Sequence, residues 1–327
     1  MTPNEFTLQQ VQANGISQRC ALAGPPSGPL VLLVHGWPES WYSWRHQIAC
    51  LAQAGWRVAA PDMRGYGGSD KPAAVQAYDM ASMTGDLAGL ITALGHRDAV
   101  LVGHDWGAPV VWNTAILHPD KVRAVVGLSV PHMARPKLPQ TQLFKALYQD
   151  RFFYMLYFQE PGKAEAELEQ DLDVSLRKIY WALSGQAEPG SFTRDKDKRA
   201  NLLDGLPLPA SLAPLMGAED LAYYRAQFAA SGFRGPLNRY RNFERDWRDL
   251  PQLHQAPVTQ PSLFITGDRD PVLTSVPGRD LRDVAPLLCP QLRALLVLDG
   301  VGHWTQQEAP DAVNRALLAF LREFYRP

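Results

Sequence analysis

An α/β fold, with a mostly parallel sheet covered by helices and a helical insertion late in the chain, is what this 327-residue sequence predicts. Three observations carry that expectation. Short apolar runs bounded by turn residues recur along the chain, helix-like segments separate most of them, and the alternation lapses between roughly Pro131 and Pro261. Strands that are apolar on both faces belong in a parallel sheet buried under helices. The chain is also longer than one hydrophobic core usually fills, so a main domain with a second compact unit is expected.

The first element departs from the pattern. Alternating residues in FTLQQVQANGISQRCALA, with Asn14-Gly15 at the centre, predict an antiparallel hairpin closed by a tight turn. The apolar runs follow: LVLLVH, RVAAPD, AVLVGHD and AVVGLSV before the lapse, SLFITGD and RALLVLDG after it. Pro-rich joints, PHMARPKLP and LPQLHQAPVTQP, bracket the interruption. Inside it Leu168, Leu172, Leu176 and Leu183 recur at helical spacing after an acidic run. Leu221, Tyr224 and Phe228 do the same after Glu219-Asp220 and stop near Ser231-Gly232. These helices are too many and too continuous for one crossover, and predict a cap of residues 133–252 inserted into a core of 1–132 and 253–327.

Composition narrows the class of function. The sequence is 46% hydrophobic, as suits a soluble globular enzyme, and its formal charge of -1 gives no reason to expect nucleic acid or an anionic membrane as partner. Small neutral molecules remain. Cys20, Cys50 and Cys289 are odd in number, widely spaced and outside any CxxC pattern, which argues against a disulfide framework or a thiolate zinc site. The start, MTPNEFTLQQ, has neither a basic leader nor an apolar core, and no apolar run approaches membrane-spanning length. A cytoplasmic protein is expected; oligomeric state has no signature.

The chemistry begins at Gly103-His104-Asp105-Trp106-Gly107, which follows the GxSxG pattern with aspartate in the serine position. Glycine on both flanks lets the chain turn sharply after a strand, exposing the central side chain and freeing the next N–H to donate. Asp105 is therefore the candidate nucleophile. FITGDRDPV places Asp268 and Asp270 after a strand, and VLDGVGHWTQ places His303 after the next. Nucleophile, acid and histidine thus appear in the chain order of α/β-hydrolases. Asp270 is the expected partner of the His303 general base, while Asp268 ends its strand and is expected to fix the loop. In VLLVHGWPES a strand ends at His35-Gly36, and the N–H of Trp37 can join that of Trp106 as an oxyanion hole, with Pro38 holding the turn through a cis peptide bond.

Aspartate in place of serine selects the reaction. Serine attacking saturated carbon would form an ether that water cannot readily cleave, whereas a carboxylate forms an ester that activated water can hydrolyse. The substrate is thus an alkyl electrophile, an epoxide or an alkyl halide. Epoxide opening expels an alkoxide and calls for a proton donor, which a tyrosine above the elbow can supply. The cap region holds several tyrosines, from Tyr148 to Tyr240, so chemistry alone leaves both substrates open.

FFYMLYFQEPGKAEAELEQDL and SGFRGPLNRYRNFERDW closely resemble the cap segments that carry the ring-opening tyrosines of soluble epoxide hydrolases of the α/β-hydrolase fold, especially the hydrolase domain of the vertebrate enzyme. The likeness runs from HGWPES past GHWTQ. It implies Tyr154 and Tyr240 as the acid pair, Asp105 as nucleophile, Asp270 and His303 as relay partners, and the Trp37 and Trp106 amides as donors. It also implies an enzyme needing no cofactor and no metal, with a small apolar epoxide and water as partners. DMRGYGGSD resembles the family's glycine-rich loop, since Asp70 stands where a dinucleotide loop needs its last glycine. The sequence leaves no room before LVLLVHG for the vertebrate phosphatase domain, so no phosphatase activity is expected. Met155 replaces a polar amide, so epoxide preference is not carried over. Expected pocket residues are Trp37, Trp106, Met155, Phe158, Trp181 and Val272. A haloalkane or haloacid dehalogenase is the competing reading, but those enzymes tend to resemble HGN at the turn or HDR at the elbow. A non-catalytic receptor would need neither triad nor tyrosines.

Overall fold

A computed structural model describes residues 6–274 and 280–327; the opening residues 1–5, part of the segment without a leader pattern, lie outside it. The hairpin is strands β1 (Thr7–Ala13) and β2 (Ile16–Ala23), paired antiparallel from Thr7 opposite Leu22 to Ala13 opposite Ile16. Asn14 and Gly15 both have positive φ, 50° and 77°, as a two-residue turn matched to strand twist requires.

The six apolar runs become β3 (Leu30–Val34), β4 (Arg57–Pro61), β5 (Ala99–His104), β6 (Val122–Leu128), β7 (Ser262–Gly267) and β8 (Leu292–Leu298). With the hairpin they form, among the described residues, an eight-stranded sheet in the order β1-β2-β4-β3-β5-β6-β7-β8, parallel from β4 onward. Core helices are α1 (Arg45–Gln53), α2 (Met80–Ala93) and α3 (Gly107–Leu117). The insertion carries α4 (Gln140–Tyr148), α5 (Tyr154–Tyr157), α6 (Lys163–Gln170), α7 (Leu172–Ala182), α8 (Ala218–Ser231), α9 (Arg234–Asn238) and α10 (Phe243–Asp249). Two more, α11 (Thr305–Glu308) and α12 (Pro310–Phe324), close the chain.

Alternate residues of each central strand feed opposite cores. Val31, Leu33, Val100 and Val102 pack with Ile48 and Leu51 of α1 and Leu317 of α12, whereas Leu32, Val34 and Leu101 pack with Leu87 of α2 and Val110 of α3. Burying each such side chain contributes about 1.5–3 kcal/mol, so continuous apolar runs are what a sheet covered on both faces requires. The edge strands differ: β1 is mostly exposed and β8 is half-exposed along its length.

Strand order places the chemistry. From β3 the chain steps first to β4 on one side and then to β5 on the other, and ligands of open α/β sheets bind where such a reversal leaves a crevice beyond the strand ends. The HGWP turn follows β3 and the elbow follows β5.

Within the insertion the structure departs from one expectation. The leucine run from Leu168 to Leu183 is two helices, because Asp171 adopts extended backbone between α6 and α7 and its carboxylate caps α7 by accepting from the Val174 N–H. Helix α8 ends at Ser231-Gly232 as the spacing predicts. The insertion is stitched to the core: Tyr180 donates to the Pro38 carbonyl at 2.9 Å, Tyr42 to Asp220 at 3.0 Å, and the Gly185 N–H to Glu308 at 2.8 Å. Among the described residues no helix is long and apolar enough to cross a membrane.

Candidate active site

Asp105 sits at the apex between β5 and α3 with φ of +50°, a left-handed conformation that a non-glycine residue adopts at a cost. Its neighbours permit the turn. A Cβ on Gly103 would lie 2.3 Å from the Gly107 carbonyl oxygen, and one on Gly107 2.1 Å from that of Val34, so only glycine lets the elbow close against β3. The Asp105 side chain remains 16% accessible, whereas those of His303 and Asp270 are at 2% and 0%, so Asp105 is the most accessible of the three.

The candidate triad is assembled. His303 Nδ1 lies 3.0 and 3.1 Å from the two oxygens of Asp270, and its Nε2 lies 3.2 Å from Asp105 Oδ2. Both ring nitrogens face carboxylates. Burial alone would lower the His303 pKa, but Asp270 and Asp105 outweigh it and hold the imidazole well above the ordinary histidine range. Asp268 does a different job, accepting from the Gly300 N–H at 2.8 Å and so tying the acid loop to the histidine loop.

The turn after β3 supplies the other side. Trp37 N–H donates to Asp105 Oδ1 at 2.7 Å. The Trp106 amide is its neighbour across Gly36, where a Cβ would stand 2.7 Å from Trp106 N. The Trp37-Pro38 bond is cis. His35 Nε2 accepts from Met63 N–H at 2.9 Å and Nδ1 faces the Gly36 carbonyl, which assigns its proton to Nδ1; burial lowers its pKa and keeps it neutral.

Beneath the triad lies a buried pair that motif reasoning left out. Glu39 accepts from Gly36 N–H at 2.8 Å, Gln306 at 2.9 Å and His104 Nδ1 at 2.8 Å, and His104 Nε2 points to the His303 carbonyl oxygen at 2.7 Å. Both His104 nitrogens therefore face acceptors. Burial pushes the Glu39 pKa up, but His104, His35 and the Gly36 N–H bring it down to about 2. Ser129 also donates to the His303 carbonyl, at 2.7 Å, and the His303 N–H donates to the Leu183 carbonyl of the insertion at 2.8 Å. The His303 loop is thus gripped from core and insertion together. The available signal was slight: one further ionisable residue, Glu39 beside His35 in HGWPES and His104 beside Asp105 in GHDWG, inside each of two turn motifs.

The two implied tyrosines converge from separate segments. Tyr154 opens α5 and Tyr240 lies in a short 3₁₀ turn after α9; their rings are 6.2 Å apart at 76°, with Tyr240 buried and Tyr154 partly buried. Burial, then the nearby charge of Asp105, raises each well above the ordinary tyrosine value, so both stay protonated donors. Gln159 bridges their segments, donating to the carbonyls of Met155 at 2.7 Å and Tyr240 at 2.9 Å.

The pocket residues divide. Trp37, Trp106 and Phe158 surround Tyr240 at ring separations of 6.2, 5.1 and 4.9 Å. Met155 is partly buried beside Tyr154. Trp181 packs half-buried against the main core, while its neighbour Tyr180 makes the recorded contacts with Pro38 and with the Trp304 ring. Val272 acts through its backbone, donating to Asp270 Oδ1 at 2.9 Å. An open cleft of about 430 Å³, lined by Tyr42, Arg45, His46, Met216 and Gln307, lies elsewhere between core and insertion, and none of the five candidate catalytic side chains lines it. In DMRGYGGSD, Asp62 accepts from Arg19, Trp41 N–H and Gly68 N–H, so the loop packs against its own chain.

Fold and elbow together define an α/β-hydrolase with a carboxylate where serine is usual. A family model described as alpha/beta hydrolase fold matches residues 29–163. The chain is 46% identical to epoxide hydrolase A of Mycobacterium tuberculosis, over 96% of its own length and 97% of that protein. It is 41% identical to bifunctional epoxide hydrolase 2 of Sus scrofa, over 90% of its length and 52% of the relative. The crystal structure of epoxide hydrolase A from Mycobacterium thermoresistibile superposes with a TM-score of 0.93 at 44% identity, covering 98% of this chain and 100% of that one. This chain belongs to the epoxide hydrolases of the α/β-hydrolase superfamily.

Proposed function

We propose that the protein converts small apolar epoxides to vicinal diols through a covalent ester on Asp105. The carrying observation is one carboxylate at a strained apex, held by the Trp37 N–H, facing His303 and lying within electrostatic reach of two phenols. Asp105 attacks one epoxide carbon as the carbon–oxygen bond breaks, and a tyrosine hydroxyl quiets the departing alkoxide. Ester formation then removes the Asp105 charge, and with it one of the two carboxylates that keep His303 protonated. The imidazole loses its proton more readily and becomes the base that activates water. Water adds to the ester carbonyl, the Trp37 and Trp106 amides stabilise the oxyanion, and diol leaves.

Residues 133–252 act in this scheme as a cap that supplies both tyrosines and excludes bulk water, with 1–132 and 253–327 as the core that supplies the triad. The unpaired cysteines, Cys20, Cys50 and Cys289, support a reducing, cytoplasmic setting. Dehalogenation through the same aspartate is less well supported, because halide departs without a proton and would leave two phenols with no task.

Replacing His303 with Gln separates the two half-reactions. The His303→Gln protein, mixed with a reactive epoxide such as styrene oxide, is expected to gain the mass of one epoxide on the peptide containing Asp105. An intact-mass spectrum with no adduct contradicts this division of roles.

A further inference from the structure

Tyr240 and Tyr154 present the same functional group to the same carboxylate, yet their surroundings differ. Tyr154 packs among Phe153, Phe158 and Phe192. Tyr240 meets the Trp106 ring edge to face, with centroids 5.1 Å apart at 87°, and a cation lies over that same indole: Arg239 Cζ is 4.9 Å from its centre. Arg239 is only 3% exposed. Its guanidinium donates to the Tyr78 carbonyl and to Asp246, whose other oxygen accepts from Met80 N–H at 2.7 Å. Its Nε is buried with no partner among the described groups. Burying a guanidinium is costly even when paired, so a donor left unpaired on top of that cost asks for a reason beyond packing.

The reason lies on the indole. A cation over an aromatic face is attracted by the π cloud and draws density from it, so the ring is held in one orientation and its N–H becomes a better donor. Burial and Asp105 raise the pKa of both phenols, with Tyr148 and Asp270 adding to the rise for Tyr154 and with Tyr154 and Tyr66 adding to it for Tyr240; Tyr240 also meets the Trp106 ring, and that side chain partly offsets its rise. Resting on the ester reading above, we infer that Arg239 is a positioning residue for ring opening: stacked on Trp106, it fixes the indole against Tyr240 and selects Tyr240, not Tyr154, to give its proton to the epoxide oxygen.

The step balances. The Asp105 oxygen forms a bond to carbon, the carbon–oxygen bond breaks with its electron pair going to oxygen, and that oxygen takes the Tyr240 proton to leave a phenolate. After ester formation His303 releases its proton to solvent. Water then gives one proton to His303 as its oxygen bonds to the acyl carbon. The ester carbon–oxygen bond breaks with its electron pair going to the diol oxygen, which takes the second proton of that water, and the proton released to solvent is matched by the one that restores the phenol. Tyr154 orients the epoxide oxygen by hydrogen bonding and keeps its proton.

A double-mutant cycle on adduct formation tests this, read by quenched-flow mass spectrometry in the His303→Gln background with styrene oxide. Arg239→Met should slow adduct formation roughly tenfold beside intact tyrosines and again beside Tyr154→Phe, as loss of a desolvated cation–π contact allows. Beside Tyr240→Phe it should slow the step less than about twofold, because the partner it acts on is gone. Arg239→Lys, which keeps a cation, should recover most of the rate. Arg239→Gln, which retains an N–H donor for the Tyr78 carbonyl, repeats the cycle should the Met variant fail to fold by circular dichroism. Equal slowing beside either tyrosine variant, or no slowing, overturns the assignment of Arg239. A parent that forms no adduct overturns the ester reading, and the assignment with it.

Discussion

At the scale of single residues, the proposed cycle asks His303 to hold a proton in one half and to lack it in the other. The geometry provides the switch, since Asp270 is a permanent partner and Asp105 a temporary one. In the free enzyme the folded pKa of His303 is raised, so the pair stabilises the fold below the unfolded histidine value and that stability is lost as pH climbs through the folded one. In the ester state one supporting charge is gone and the pKa falls. Ester hydrolysis is therefore expected to speed up as pH rises and to level off at a lower pH than the one at which free-enzyme His303 deprotonates. Single-turnover kinetics across pH, set against an NMR titration of the imidazole, measure both. Coincident midpoints contradict the account. Asp105, Asp270 and His303 were legible in the sequence because each follows a strand in a recognisable turn. The two tyrosines were not separable by chemistry from the others between Tyr148 and Tyr240; only the resemblance singled them out. Glu39 and His104 left only the slight trace of their places inside two turn motifs and Arg239 left none, because buried hydrogen-bonded partners have no spacing rule.

At the scale of elements, the site is two turns pressed together. A Cβ on Gly36 would stand 2.4 Å from Asp105 Cβ and Oδ1, so the β3 turn holds the proposed nucleophile by direct contact. Gly36→Ala is expected to displace the Asp105 carboxylate and lower kcat/KM by roughly 100-fold, the loss that a misplacement of about 1 Å can cause. Epoxide turnover assays with circular dichroism on the same samples check it, and near-native activity contradicts the contact. The strands were legible here because runs such as LVLLV and AVLV are apolar at every position, a pattern that only burial on both faces produces. The helices of the insertion were legible as helical but not as separate pieces. Leucine spacing continues through Asp171, and the break depends on a cap whose carboxylate reads equally well as one more acidic residue of the run.

At the scale of the whole molecule, strand order and insertion together make the enzyme. The sheet reverses at β3 and brings two turns to one crevice, while the helices between β6 and β7 reach back to the same place through Tyr180, Leu183 and Gly185. That architecture was legible from strand alternation and its lapse. The contacts that lock insertion to core were not, since they join residues as far apart in the chain as Pro38 and Tyr180, or Leu183 and His303. A parallel assay of an aromatic epoxide, a fatty-acid epoxide and a haloalkane is expected to give diol from at least one epoxide and no halide release. Halide release with no diol contradicts the proposed reaction.

The covalent ester on Asp105 is the claim on which the rest depends, and isotope labelling reaches it most directly. In a single turnover with enzyme in excess in oxygen-18 water, the diol is expected to carry an unlabelled oxygen from Asp105, with the heavy isotope left in the carboxylate. Heavy oxygen in that first diol would mean that water attacks the epoxide itself, and the account would be wrong.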